Sequence, residues 1–202
     1  MKITDLSIPK SVKEIIIRSG IVDLYPPQEE AVKAGASMIN DVSALRFDRR
    51  TASVAARYKV PIILMHMLGK PRTMQKNPRY KDLMADIISY LQNSMSLAIK
   101  GGVSRKKIIV DPGFGFGKTV EHNLEILRSL KSLKVLGCPI VMGTSRKSTI
   151  GKILNLPPEQ RIEGTLATVA IAMANGANIV RVHDVAEAAR VVKMTDAICR
   201  RV

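Results

Sequence analysis

A chain of 202 residues with 46% hydrophobic side chains is long enough to bury one substantial core and is expected to form a single domain. No apolar run approaches the roughly 20 residues of a membrane span, and Met1-Lys2-Ile3-Thr4-Asp5 lacks the basic and apolar regions of a signal peptide, so the expectation is a cytoplasmic protein with no membrane partner. A formal charge of +15 favours anionic partners, but 3% aromatic residues with no Trp, and basic residues spread along the chain, leave nucleic-acid bases little to stack on; a phosphate- or carboxylate-bearing small substrate is the better expectation.

In chain order, residues 1–20 stay unassigned, because Ile15-Ile16-Ile17 has only short, turn-like neighbours. Ile21-Val22-Asp23 reads as a strand ending in a carboxylate, and Pro26-Pro27 opens a helix through Ala34 that Gly35 stops. The same unit then recurs. Ser37-Met38-Ile39 leads to Asn40-Asp41 and a helix over Thr51 to Tyr58; Pro61 to Met65 leads to His66 and a basic loop from Gly69 to Arg79. Met84, Ile87, Ile88, Leu91, Met95, Ala98 and Ile99 fall on one helical stripe closed by Gly101-Gly102, so these methionines read as packing. Ile108-Ile109-Val110 leads to Asp111 and a helix from about Val120 to Leu133 with Leu124, Leu127 and Leu130 inward. Pro139 to Met142 leads to Gly143-Thr144-Ser145-Arg146-Lys147, Glu163 to Asn175 is an Ala-rich helix closed by Gly176, and Asn178 to Asp184 is a strand before a last helix to Arg201. Cys138 and Cys199 stand alone and read as small buried hydrophobes, with neither a disulfide framework nor a thiolate zinc site.

The stretch Asp111-Pro112-Gly113-Phe114-Gly115-Phe116-Gly117-Lys118 is the most informative. Its glycines give the backbone conformations closed to other residues, and its two rings can wall a pocket beside the carboxylate, suiting a flat ligand with hydrogen-bond donors. It is not a nucleotide P-loop, because the needed glycine falls on Pro112, and Lys118 stands where a dinucleotide fingerprint needs its third glycine. Taken alone, a strand-end Asp before Gly is also what a capped turn looks like. His66 reads as a structural histidine, His122 as an exposed early-helix residue, and Lys118 as a solvated charge.

Apolar strands alternating with helices mean an α/β fold with a parallel sheet covered on both faces. Polar groups at successive strand ends, Asp23, Asn40, His66, Asp111, Ser145, Lys147, Arg181 and His183, fit a TIM-type (β/α)8 barrel whose C-terminal mouth is the active site, while a doubly wound sheet would gather them at one switch point. Six clear βα units are readable where a closed barrel takes eight and about 250 residues, so the barrel is expected to be incomplete at its N-terminus.

Met38-Ile39-Asn40-Asp41-Val42, Leu64-Met65-His66-Met67, Asp111 to Lys118, Ser145-Arg146-Lys147-Ser148 and Arg181-Val182-His183-Asp184, in this order and spacing, resemble dihydropteroate synthase over residues 21–202, which would then be a pterin-binding barrel domain. The resemblance implies a transferase of folate biosynthesis that joins a dihydropterin pyrophosphate to p-aminobenzoate, uses Mg2+, and forms a homodimer through its late helices. It implies that Asp111 and Asn40, with Asp23 as a weaker match, accept hydrogen bonds from the pterin edge, and that Met65 and Phe116 sandwich the ring. Lys147 would reach the pterin carbonyl, Ser145 and Arg146 would shape the aminobenzoate site, and Arg181 and His183 would hold the departing pyrophosphate. Lys147, Asp111 and Arg181 are thus the candidate catalytic residues. The family's first-strand Asn that binds magnesium, the Asp of the loop after it, and its Ser-Thr-Arg-Pro-Gly lid segment have no counterpart in residues 1–35, so the metal ligand is unknown and pterin binding is expected to survive better than turnover. The rival expectations are a non-catalytic pterin- or anion-binding relative and a folate-binding methyltransferase domain, the latter disfavoured by Ser145-Arg146-Lys147.

Overall fold

The computed structural model describes Val32 and residues 35–199; residues 1–20, Asp23 and the expected helix before Gly35, Val32 excepted, lie outside it. The elements are β1 (Ile39–Asp41), α1 (Arg50–Arg57), β2 (Ile62–Met65), α2 (Leu83–Lys100), β3 (Ile108–Asp111), α3 (Val120–Arg128), β4 (Val141–Met142), α4 (Ser148–Leu154), α5 (Ile162–Ala174), β5 (Ile179–Val180) and α6 (Val185–Cys199). All paired strands run parallel, in the order β1-β2-β3 and β4-β5, and a bridge between Val110 and Ile140 joins the two sheets. Every βα unit therefore sends the C-terminal end of its strand the same way, and the register sets Met65 of β2 beside Asp111 of β3. Among the described residues the strands form these two sheets and no closed barrel.

The strands are apolar throughout because both faces are covered. Ile62, Leu64, Ile108 and Val110 face the helices and join the main core, whereas Ile63, Ile109 and Val141 pack together on the opposite face. The longest helix, α2, starts where the Asp82 carboxylate accepts from Ala85 N at 3.0 Å and stops at Gly101, and it buries Leu83, Met84, Ile87, Leu91, Met95 and Ala98. At ~1.5–3 kcal/mol per fully buried large aliphatic side chain, that stripe is a main contributor to the core. Ile99, expected on the stripe, is 43% exposed, near the C-terminal end of the helix.

Four other expectations need correcting. The helix expected over 120–133 ends at Arg128, and Leu130–Leu136 continues as a 3-10 helix with Leu130, Leu133 and Leu136 buried and Gly137 in the left-handed region at φ 61°. Leucines three apart match the three residues per turn of that tighter helix, while Leu124 is only half-buried. A helix absent from the sequence reading, α4, follows Lys147 directly. The strand expected over 178–184 pairs only at Ile179 and Val180, because the chain beyond turns its polar groups toward neighbouring loops. Cys138 is half-buried, but Cys199 is exposed near the end of α6.

Candidate functional site

At the C-terminal ends of the strands, residues distant in sequence meet. Asp111 closes β3 at 1% exposure, and its Oδ1 accepts from Gly113 N at 2.7 Å. Among the described residues its Oδ2 is buried without a hydrogen-bond donor, and the Arg181 guanidinium lies 3.7 Å away. A buried carboxylate oxygen left without a donor is costly, so the position is suited to a ligand that brings one. Arg181, just past β5, also donates to Asn40 Oδ1 at 3.3 Å, so the ends of β1, β3 and β5 share one cluster. Gly143 makes room for it: a Cβ there would lie 2.9 Å from the guanidinium.

The glycine turn after Asp111 forms the next wall. Gly113, Gly115 and Gly117 all have positive φ, and a Cβ on Gly113 would stand 1.8 Å from the His66 carbonyl oxygen, so the turn lies flat against the end of β2 as only glycine permits. Phe114 is fully buried, while Phe116 is half-buried. The Lys147 ammonium donates to the Phe114 carbonyl and lies 4.7 Å from the Phe116 ring centre, within cation–π range. Burial draws its pKa down to about 8, with Asp111 opposing and Arg181 adding to the fall. Met65 is fully buried beneath Gly113, whose added Cβ would touch its side chain at 3.4 Å.

On the far side, Ser145 Oγ lies 2.8 Å from His183 Nδ1 and accepts from His183 N at 3.2 Å. Arg146 has φ 56°, uncommon for a side chain of its size. The conformation is held from both sides: its N–H donates to Thr165 Oγ1 at 3.0 Å, and its carbonyl accepts from Arg161 at 2.8 Å. Its guanidinium grips Asp184, with Nε 3.1 Å from Oδ2.

Of the residues proposed from the sequence, Asn40, Asp111, Lys147 and Arg181 stand in one cluster, Met65 and Phe116 border it through the glycine turn, and Ser145, Arg146 and His183 form an adjoining group. Asp23 lies outside the described residues. Two readings are overturned. Lys118 is no solvated charge: it is 4% exposed, with its Nζ 2.9 Å from His66 Nδ1 and donating to the carbonyls of Gly113 at 2.9 Å and Phe116 at 3.0 Å. His122 is half-buried and closes a capping box with Thr119 at the start of α3, its ring edge-on to Tyr80 at 5.0 Å. The sequence reading also passed over Asn123, buried at 2%, which holds the turn by accepting from Gly115 N at 2.7 Å and donating to Thr149 at 2.9 Å, and Gln75, which donates to the Gly115 carbonyl from the basic loop. A Gln within a polar loop gives no signal of such a contact; an Asn one turn into a helix after a glycine run gives a faint one.

Among the described residues no group of three or more His, Cys, Asp or Glu is placed to hold a metal ion, and no helix is long and apolar enough to cross a membrane. Residues 25–183 match the family described as pterin binding enzyme. The chain is 47% identical over 197 residues to a dihydropteroate synthase of Clostridium beijerinckii, covering 96% of this chain and 71% of that protein. It is 47% identical over 182 residues to a dihydropteroate synthase of Bacillus subtilis, covering 89% of this chain and 61% of that one. In structure it superposes on the dihydropteroate synthase of Thermus thermophilus in complex with 4-aminobenzoate with a TM-score of 0.80 at 40% identity, over 85% of this chain and 70% of that chain. The chain thus spans some 61–71% of the length of these curated relatives. With its cluster of Asn40, Asp111, Lys147 and Arg181 beside a glycine turn, and with the match running through every strand described, the chain belongs to the pterin binding enzyme family.

Proposed function

We propose that the chain is a dihydropteroate synthase-type transferase that condenses a dihydropterin pyrophosphate with p-aminobenzoate, its described strands forming part of a (β/α)8 barrel. The observation that carries this reading is Asp111 Oδ2, a buried acceptor with no donor among the described residues, beside a cation at Arg181. A pterin presents a row of N–H donors on one edge, and such a row would complete the Asp111 carboxylate and Asn40 Oδ1 together. Phe116 supplies a flat face for the bicyclic ring, and the Lys147 ammonium, already held on the Phe114 carbonyl, is near enough to turn toward a ring carbonyl.

Once pterin donors satisfy Asp111, Arg181 is released from it to meet the pyrophosphate, for which its planar fork is suited. Loss of pyrophosphate leaves a cationic pterin methylene that the arylamine attacks, and this needs charge stabilisation and positioning more than a strong base. Ser145, His183 and Arg146 line the approach for the aminobenzoate and the leaving group. Magnesium, which the family uses, would offset charge on the pyrophosphate; among the described residues no His, Cys, Asp or Glu cluster is placed to hold it. A homodimer through the late helices fits the exposed Ile153 at 54% and Ile171 at 50%, and a cytoplasmic setting fits the substrates.

Calorimetry of the full chain with a dihydropterin pyrophosphate, followed by p-aminobenzoate with magnesium and a product assay, tests the reading. Saturable binding and release of pyrophosphate are expected, and Lys147→Ala should weaken pterin binding at least about tenfold, the loss of one charge-assisted contact. A folded chain that binds no pterin overturns the proposal. Pterin binding without pyrophosphate release would assign it instead to a non-catalytic pterin-binding relative.

A further inference from the structure

Lys118 has no part in the roles above, yet it is among the most enclosed cations of the described chain, at 4% exposure. An ammonium has three hydrogens, and here each has an acceptor: His66 Nδ1 at 2.9 Å, the Gly113 carbonyl at 2.9 Å and the Phe116 carbonyl at 3.0 Å. With Lys118 as the ammonium, the first of these takes His66 as the neutral tautomer protonated on Nε2; burial draws the Lys118 pKa down to about 7, with Asp111 opposing. Burial, Lys118 and Arg46 all act the same way on that ring, taking its pKa to about 3. The ring is held in turn by Tyr90, edge-on at 4.8 Å, and Tyr80 at 5.9 Å. Two of the three acceptors belong to the turn that carries Phe114 and Phe116, and the third stands one residue beyond Met65. A methionine would fill the same space without the cost of desolvating a charge, so what distinguishes lysine here is its three directed hydrogen bonds.

We propose that Lys118, seated on His66, is a positioning residue that clamps the 113–117 turn to the end of β2, and so sets the Phe116 face and the Phe114 carbonyl that receives Lys147 in the geometry a flat heterocycle needs. The clamp serves the pterin site proposed above and rests on that reading for its ligand, but it acts within the chain and can be read without one. The sequence has no Trp, so Phe116→Trp places a single indole on the turn. Adding Lys118→Met to that variant should move the indole emission to the red, and in the otherwise unaltered chain Lys118→Met should speed amide exchange over 113–117 by about tenfold or more, with α2 unchanged. His66→Asn, which keeps an acceptor near the place of Nδ1, should retain the parental exchange, and His66→Leu should not. In the Phe116 form, dihydropterin pyrophosphate binding should weaken about tenfold with Lys118→Met and with His66→Leu, and stay close to parental with His66→Asn.

Unchanged emission and exchange in Lys118→Met would overturn the proposal, as would identical behaviour of the two His66 variants. If Lys118→Met does not fold, the His66 pair alone decides by the same two readouts. A parent that binds no pterin refutes the function proposed for the site, while emission and exchange still decide the clamp.

Discussion

Asp111 faces cations from three elements: Arg181 after β5 at 3.7 Å, and Lys147 and Lys118, whose pKa values its charge raises against the pull of burial. Asp111→Asn keeps the shape and removes the charge those cations balance, so it should cost on the order of 1–3 kcal/mol of stability and abolish measurable pterin binding, checked by urea unfolding and calorimetry. His66 gives a pH signature. Its pKa falls from 6.5 to about 3 in the fold, so between those values the unfolded chain binds a proton that the native one does not. Stability from this group is therefore fully present above about pH 6.5 and is lost as pH falls toward 3, by up to about 4–5 kcal/mol. The urea midpoint of the parent should drop between pH 7 and pH 4 by more than that of His66→Asn, and equal drops would show that the imidazole is not the group responsible. Asn40, Asp111, Lys147 and Arg181 could be read from the sequence because each is a polar residue where an apolar strand runs out. Lys118 could not, since a lysine after a glycine turn looks the same whether its amine points outward or folds back onto the turn's own carbonyls.

At the scale of elements, the glycine turn and β2 behave as one unit. A Cβ at Gly113 would meet the His66 carbonyl oxygen at 1.8 Å, at φ +69°, so no side-chain adjustment can relieve it. Gly113→Ala should cost ~2–4 kcal/mol, seen as a fall in melting temperature of roughly 4–16 °C for a domain of this size, and it should weaken pterin binding by displacing Phe116. Gly143→Ala is a different case, because its Cβ would press on a side chain, the Arg181 guanidinium at 2.9 Å. It should leave the melting temperature nearly unchanged and lower affinity for the pyrophosphate-bearing substrate more than for a pterin without it, measured by calorimetry with both. The strands and the long α2 were legible because periodicity and flanking glycines agreed. The 3-10 helix at Leu130–Leu136 was read as a continuation of α3, since leucines at 127 and 130 satisfy either period and only Leu133 and Leu136 separate them. The short α4 escaped because its seven residues carry too few turns for a stripe to show.

At the scale of the whole molecule, the exposed apolar side chains of the late helices bear on the proposed homodimer. Ile171→Glu should shift light-scattering mass from two copies toward one without altering the circular dichroism of the chain, and a parent of single-copy mass would remove the dimer. The two parallel sheets with their bridging Val110 and Ile140 keep five strand ends level, which is the property that lets single residues from each converge. The expectation of a barrel rested on polar residues ending successive parallel strands; among the described residues those strands form two linked parallel sheets.

The hydrogen bond from Arg181 to Asn40 joins residues 141 positions apart. During synthesis the ribosome delivers Asn40 long before Arg181, and no nascent chain that stops short of β5 can assemble the cluster. Joining ends so remote is also entropically slow, so recognition of the small molecule is among the last capacities the growing polypeptide acquires, well after its early helices have found their partners.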